Sequence, residues 1–232
     1  MNLKLDFSVL LRDEYPRWIL DGVVMMLQLT AFAWVLAIVL GTLLTLIRMT
    51  QNRWAERAVS VYVEYHRNVP MLVQIFIWYF GVPTLLPMSV QHWINAQHSE
   101  FLFAFIAVGM CMAAYMSEDL RSGIRSIPTS QMEASRALGL SYLKAFRLVI
   151  LPQAARIALP TLISNTVLLF KNTSLAMTIG VAELTYATRE IESQSFHTVE
   201  AYVVATSIYL AVSLLIMAVG AGLQNHYRIK TR

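Results

Sequence analysis

Long apolar runs alternate with short polar connections along this chain, and each run approaches the 20 or so residues that a helix needs to cross a bilayer. Hydropathy places spans over residues 19–47, 58–86, 98–122, 154–181 and 200–223. Trp18 ahead of the first run, and Arg48 and Trp54 behind it, are residue types that favour the two bilayer interfaces. Pro83 and Pro87 mark the far end of the second run. Gly109, Ala113 and Ala114 give the third a small surface for close helix contact, so it is expected in the interior. The runs are continuous and rich in Leu, Val, Ile, Ala and Met, without the alternation of an outer-membrane barrel. The predicted fold class is an all-α integral membrane protein, a single transmembrane domain over 1–232 with about five helices and a cytoplasmic helix-turn-helix loop over 123–153.

Composition agrees: 57% hydrophobic and 14% charged residues put the chain outside the range of soluble domains. Cys111 is the sole cysteine, so an internal disulfide, a Cys-rich metal site and a redox pair are all excluded. His66, His92, His98, His197 and His226 lack metal-ligand spacing and read as solvated polar residues; no metal site is expected. Methionines such as Met25, Met110, Met112 and Met116 read as packing material. The net charge of +4 comes from loop Lys and Arg, which topology explains better than nucleic-acid binding. The N-terminal stretch has acids and only a short apolar patch, so it is not expected to be a cleaved signal.

Loop charge predicts the orientation. One side collects Arg48, Arg53, Arg57, Arg121, Arg125, Arg136, Lys144, Arg147, Arg156, Arg228, Lys230 and Arg232, twelve in all, against Lys4, Arg12, Arg17 and Arg189 on the other. The positive-inside rule then puts the C-terminus in the cytoplasm and the N-terminus outside.

The segment SQMEASRALGLSYLKAFRLVILP, from Ser130 to Pro152, is a charged island in this apolar chain. Ser130 and Glu133 have capping-box spacing and predict a helix start. Gly139 is placed to end that helix in a left-handed conformation, Ser141 to cap a second, and Pro152 to limit the second at its far end. Ala134, Ala137 and Leu138 offer a small apolar surface suited to a groove on a soluble partner. The alternative is an interfacial loop with Lys144 and Arg147 against lipid head groups.

The order Glu133-Ala134-Ser135, three residues, Gly139, nine residues, Val149, one residue, Leu151-Pro152 resembles the EAA loop of permease subunits of bacterial ABC importers. Ser135 and Val149 depart from the Ala and Ile usual in that motif, and both are small changes without charge. The resemblance implies a type I importer permease fold whose coupling helix, carried here by Glu133, Ala134, Ser135, Ala137, Leu138 and Gly139, seats in a cytoplasmic ATPase. A second stretch, YVEYHRNVPMLVQIF, is similar to the E-x-x-R-x-x-P-x-L-V-Q segment of polar amino acid permeases, with Glu64, Arg67, Pro70 and Gln74 in its places. Together with WYFGVPTLLP it is most similar to permeases of glutamate/aspartate importers. Pro70 is expected to tilt or break its helix, and Glu64 and Arg67 are close enough for a local ion pair; a gating role and a structural role both remain open for this motif.

Lys171 lies fourteen residues after Ile157 and ten before Val181, well inside the fourth run. A lysine at that depth costs about 2.5 to 3.5 kcal/mol on insertion scales, so it is expected to face a cavity, a partner or a solute. Asn172, Thr173 and Ser174 add hydrogen-bonding groups beside it, as at a midplane binding site. The segment FKNTSL resembles the K-D-T-S-L of polar amino acid permeases, with Asn172 where many relatives carry Asp. An acid removed beside a cation favours an anionic solute. Snorkelling, or pairing with an acid on a neighbouring subunit, is the competing account of Lys171.

Five helices are too few to enclose a gated pathway, and the chain has no G-x-x-x-x-G-K-[ST] phosphate loop. The resemblance therefore implies partners: a second permease, identical or homologous, two cytoplasmic ATP-binding subunits that carry the ATP and Mg, and a periplasmic amino-acid-binding protein. No cofactor is expected on this chain, no catalytic residue, and no nucleic acid. The expected function is translocation of a polar amino acid, glutamate or aspartate first, across a bacterial inner membrane. Glutamine, histidine or arginine as cargo, or a passive oligomeric channel, are the alternatives, and a membrane-embedded enzyme stands behind them.

Overall fold

The computed structural model describes residues 5–50, 52–96 and 99–227. Lys4, Arg228, Lys230 and Arg232, which enter the loop-charge count, and His98 lie outside the described residues. The chain is helical, as hydropathy predicts, and no strand occurs among the described residues. The helices are α1 (Tyr15–Met49), α2 (Arg53–Asn68), α3 (Met71–Phe76), α4 (Met88–Asn95), α5 (Ser99–Arg125), α6 (Thr129–Ala137), α7 (Tyr142–Ala145), α8 (Leu151–Asn172), α9 (Leu184–Ser195) and α10 (Thr198–Tyr227).

The bundle is built around α5, which packs against α1, α2, α3 and α8. Small residues explain the closeness. A Cβ on Gly109 would stand 3.0 Å from the Ala33 carbonyl oxygen, and one on Gly41 would stand 3.0 Å from that of Ala113. Lipid tails are as apolar as Leu, so helices in a bilayer associate through such close backbone approach. Leu29, Ala33 and Ala37 of α1, Val108, Met112 and Met116 of α5, and Leu169 of α8 form the main core. The third run is thus the interior helix that its Gly and Ala content predicts.

The second run is not straight. It breaks at Val69 and Pro70 into α2 and a second limb that starts with α3 and continues to Leu85, the two bent by 110°. Pro70 has no N–H to donate, and Val69 takes the extended conformation that a residue before proline requires. The break exposes main-chain carbonyls, and Gln74 answers them: its Nε2 donates to the oxygens of His66 (3.0 Å) and Val69 (2.8 Å). Cys111 of α5 donates a weaker bond to the same His66 oxygen at 3.3 Å. The His66 ring closes the knot through Nδ1, 2.6 Å from Gln74 Oε1. His66 is therefore buried, at 4% exposure, rather than solvated, because the fold-back at Pro70 turns it against Gln74 and α5.

The fourth run is also longer than Pro152 predicts. Helix continues from α7 through a π turn at Phe146–Ile150 into α8, and Pro152 sits in the first turn of α8 instead of ending anything. The wide turn immediately before it relaxes the ladder where the missing N–H and the proline ring would otherwise disrupt it. At the polar residues the α-helix gives way to a 3₁₀ stretch, Thr173–Ile179, which Gly180 ends at φ +92°. Glu183 then caps α9, accepting from the main-chain N–H groups of Thr185 (2.9 Å) and Tyr186 (3.0 Å) and from the Tyr209 hydroxyl of α10 (2.7 Å). Burial pushes its carboxyl upward, and these bonds pull against that shift.

Candidate functional site

The island folds as two short helices joined at a glycine, but its start differs from the capping-box expectation. α6 begins at Thr129, directly after an extended Pro128, and no side chain caps it. Ser130 is already inside the first turn, so the reciprocal bonds with Glu133 do not form. Its far end follows the sequence: Gly139 adopts φ +86°. Leu140 N–H reaches the Ser135 oxygen at 3.2 Å and Gly139 N–H the Arg136 oxygen at 3.0 Å, the paired bonds of a Schellman motif. Ser141 caps α7 by accepting from the Lys144 main chain at 3.4 Å.

This turn pushes an apolar tip into the open. Leu138 is 85% exposed and Leu143 72%, with Tyr142 exposed between them. Glu133, Ala134 and Ala137 are exposed on α6, whereas Ser135 is buried and donates its hydroxyl to the Gln131 oxygen at 2.7 Å. Tyr142 and Leu143 escaped the sequence reading; two large apolar residues just after a cap, in a segment read as aqueous, were the available signal. Behind the tip, α5 and α8 meet where the chain enters and leaves the bundle. A Cβ on Gly123 would stand 2.6 Å from the Ala154 oxygen.

A charge cluster ties three helices together beside this neck. Arg48 of α1 forms an ion pair with Glu118 of α5 and donates to Ser60 of α2 at 3.0 Å. Arg121 of α5 lies 3.5 Å from Glu56 of α2 and 3.6 Å from Glu118. Hydropathy and loop counting read Arg48 and Arg121 as topology signals. Glu118, which both arginines share, is seventy residues from Arg48 and three from Arg121, and spacing along the chain does not disclose that the first pair meets.

Lys171 occupies the last turn of α8 on an exposed stripe that also carries Thr161, Ser164 and Leu168. Among the described residues it makes no ion pair or hydrogen bond through its side chain. Asn172 Nδ2 lies 4.0 Å from the Met112 sulfur of α5. Thr173 is fully buried and donates to the Phe170 oxygen at 2.7 Å, and Ser174 donates to the Lys171 oxygen at 2.8 Å. Both hydroxyls thus spend their hydrogens on the backbone and keep acceptor lone pairs. Lys171 and Ser174 face outward while Thr173 faces in, so the four residues do not converge on one cavity within this chain.

The Glu64–Arg67 ion pair is absent among the described residues. Glu64 uses its main-chain oxygen to accept from Asn68 at 2.7 Å, and Arg67 instead lies over the Tyr115 ring of α5, 5.4 Å from its centroid. One turn further along α5, Asp119 accepts from Asn165 of α8 at 2.6 Å. Asp119 and Asn165 were not anticipated, because the acids Glu118 and Asp119 at the edge of a hydropathy window read as the end of a span.

A family model described as "Binding-protein-dependent transport system inner membrane component" matches residues 33–229. The chain is 33% identical over 209 residues to the glutamate/aspartate import permease protein GltJ of Escherichia coli, an alignment that covers 88% of this chain and 85% of that protein. It is 33% identical over 198 residues to the octopine transport system permease protein OccM of Rhizobium radiobacter, covering 85% and 81%. A solved structure described as an amino acid ABC transporter with histidines superposes with a TM-score of 0.84 at 26% identity, covering 97% of this chain and all of that one.

Proposed function

The chain belongs to the family of binding-protein-dependent transport system inner membrane components, and from that membership we propose that its solute is an acidic amino acid, L-glutamate or L-aspartate. It is a multi-pass permease subunit of an amino-acid ABC importer, with the type I importer fold, and not itself an enzyme. The observation that carries the solute assignment is Lys171: a cation inside a membrane-spanning helix, on an exposed polar stripe, with no partner among the described residues and with a neutral Asn172 next to it. A bilayer tolerates such a charge only where a cavity, a partner or a ligand faces it. A carboxylate on the solute's side chain supplies that counter-charge. The name of the GltJ relative supports the same reading, whereas that of OccM favours an amino-acid derivative, for which Lys171 would meet a different carboxylate.

The remaining assignments complete the machine. A second permease faces the Lys171 stripe and encloses the pathway with this one. ATP-binding subunits, which hold the nucleotide and Mg, seat the tip formed by Leu138, Gly139 and Leu143, with Glu133, Ala134 and Ala137 around it. A periplasmic binding protein delivers the solute at the opposite face, with the N-terminus on its side and the C-terminus in the cytoplasm. A passive channel gives way to this reading because the family is one of driven importers.

Radiolabelled L-glutamate uptake tests the assignment in cells expressing the complete system. Lys171→Met, expressed at the wild-type level, is expected to lower uptake at least tenfold, the effect of losing one charge-assisted contact. Undiminished uptake would remove Lys171 from the solute pathway.

A further inference from the structure

We propose that Arg67, Tyr115, Asp119 and Asn165 form a second solute station, on the cytoplasmic side of Lys171, that grips the α-ammonium and α-carboxylate shared by all amino acids. The inference rests on the importer reading above, but not on which amino acid is carried.

Four observations place it. Asp119 lies within the membrane-spanning α5, where an ionised carboxylate is normally paired with a cation. Its contacts here are with neutral groups, Asn165 donating to Oδ2 at 2.6 Å and the Thr161 hydroxyl beside it, while the Arg67 guanidinium acts on it from a distance without an ion pair. Arg67, also within a membrane-spanning limb, makes no ion pair among the described residues and lies over the face of Tyr115. Tyr115 and Asp119 are four residues apart on one helix, hence neighbours on the same face. An intramembrane acid and an intramembrane cation are thus brought to adjacent turns of α5 from two different helices, near enough to feel each other's charge but without a direct ion pair among the described residues.

The spacing suits a pathway. Met112, Tyr115 and Asp119 follow one another on one face of α5, and Asn172 lies against Met112. Seven residues of helix rise about 10 Å, so the Arg67–Asp119 level is two turns below the Asn172 level, toward the cytoplasm. The chemistry is complementary to a zwitterion. Arg67 offers a planar fork to a carboxylate, the Asp119 carboxylate accepts from an ammonium, and Asn165 holds that carboxylate in place. Charge sign assigns the ends: Asp119 repels any carboxylate, so the acidic side chain points back toward Lys171. Side-chain selectivity then belongs to Lys171 and Asn172, and recognition of the amino-acid head to this lower station.

Equilibrium binding to the purified, assembled transporter distinguishes the two roles, with L-glutamate, L-aspartate, L-glutamine and glutarate as probes. Glutarate keeps both carboxylates of glutamate and lacks the ammonium. Asp119→Asn is expected to weaken the three amino acids by a common factor of about ten or more, and to leave glutarate unchanged or bound more tightly. Unchanged amino-acid affinity in a variant that assembles and melts like wild type would overturn the station, as would a loss confined to one kind of side chain. Should Asp119→Asn not assemble, Arg67→Gln gives the answer: it is expected to weaken L-glutamate, L-aspartate and L-glutamine by a common factor of about ten, and unchanged affinity for all three in a variant that assembles and melts like wild type overturns the station. If the cargo is not acidic, the amino acids change rank but Asp119→Asn still weakens them together, so failure of the solute assignment and failure of the station read differently.

Discussion

Gly123 on α5 rests on the main chain of Ala154 on α8, so closely that the position has no room for a side chain. These two residues flank the segment that carries α6, Gly139 and α7 into the open. The exposed tip therefore joins the bundle through two helices that are in backbone contact. The Arg48–Glu118 ion pair and the Arg121 contacts extend that junction to α1 and α2.

Adding a methyl group at this contact tests it. Gly123→Ala would set a Cβ at 2.6 Å from the Ala154 oxygen, and backbone cannot yield as a side-chain end can. Overpacking of this kind costs about 1–3 kcal/mol. The melting temperature of the purified permease should fall, and an unchanged melt would show that α5 and α8 separate freely.

Gly139 carries a different expectation, because its Cβ would meet open space and only its backbone is constrained. At φ +86° a β-branched residue is strained by about 1–2 kcal/mol, while Asn tolerates the left-handed region. Gly139→Val should leave the membrane bundle intact yet depress solute-stimulated ATP hydrolysis and uptake together. Gly139→Asn should retain most of both, and equal loss in the two variants would argue against a conformational role.

Gln74, 1% exposed, is the residue that makes the 110° bend affordable in a bilayer. Gln74→Leu removes the Gln74 donor from the Val69 oxygen and leaves the His66 oxygen only the weaker Cys111 bond, and a buried acceptor left without a donor costs about 1–3 kcal/mol. Faster proteolysis and a lower melting temperature are the expected results. Wild-type behaviour in both assays would mean that the bend does not depend on Gln74.

Asn172 tests selectivity rather than stability. Asn172→Asp puts an acid beside Lys171, and competition against labelled L-glutamate should then shift from unlabelled L-aspartate toward L-arginine by about tenfold, worth roughly 1.4 kcal/mol. An unmoved competition order would place side-chain recognition elsewhere.

The break at Pro70 and the left-handed turn at Gly139 were legible in the residues themselves, because proline and glycine act on the backbone they belong to, whereas the fourth span was read as helix through to 181 and the α-helix gives way at Thr173. The failures were equally local in cause. Ser130 and Glu133 have the right spacing for a capping box, but Pro128 starts the helix earlier and takes the position that Ser130 would need. Pro152 should stop a helix, and the π turn ahead of it removes the reason. His66 read as solvated because nothing in its own neighbourhood announces that a bend four residues later will bury it.

What the amino-acid order determined alone is therefore the set of spans, the punctuation of their backbones and the exposed helical island, since each depends on interactions within a few residues. Tertiary structure decided which charges meet. Arg48 with Glu118, Arg67 over Tyr115 and Asp119 with Asn165 are set by how α1, α2 and α8 cross α5, and those crossings are fixed by small residues such as Ala33, Gly109 and Gly123 that carry no charge at all. A polar side chain in a bilayer takes the partner that helix packing brings within reach, and packing is a property of whole surfaces rather than of spacing along one chain.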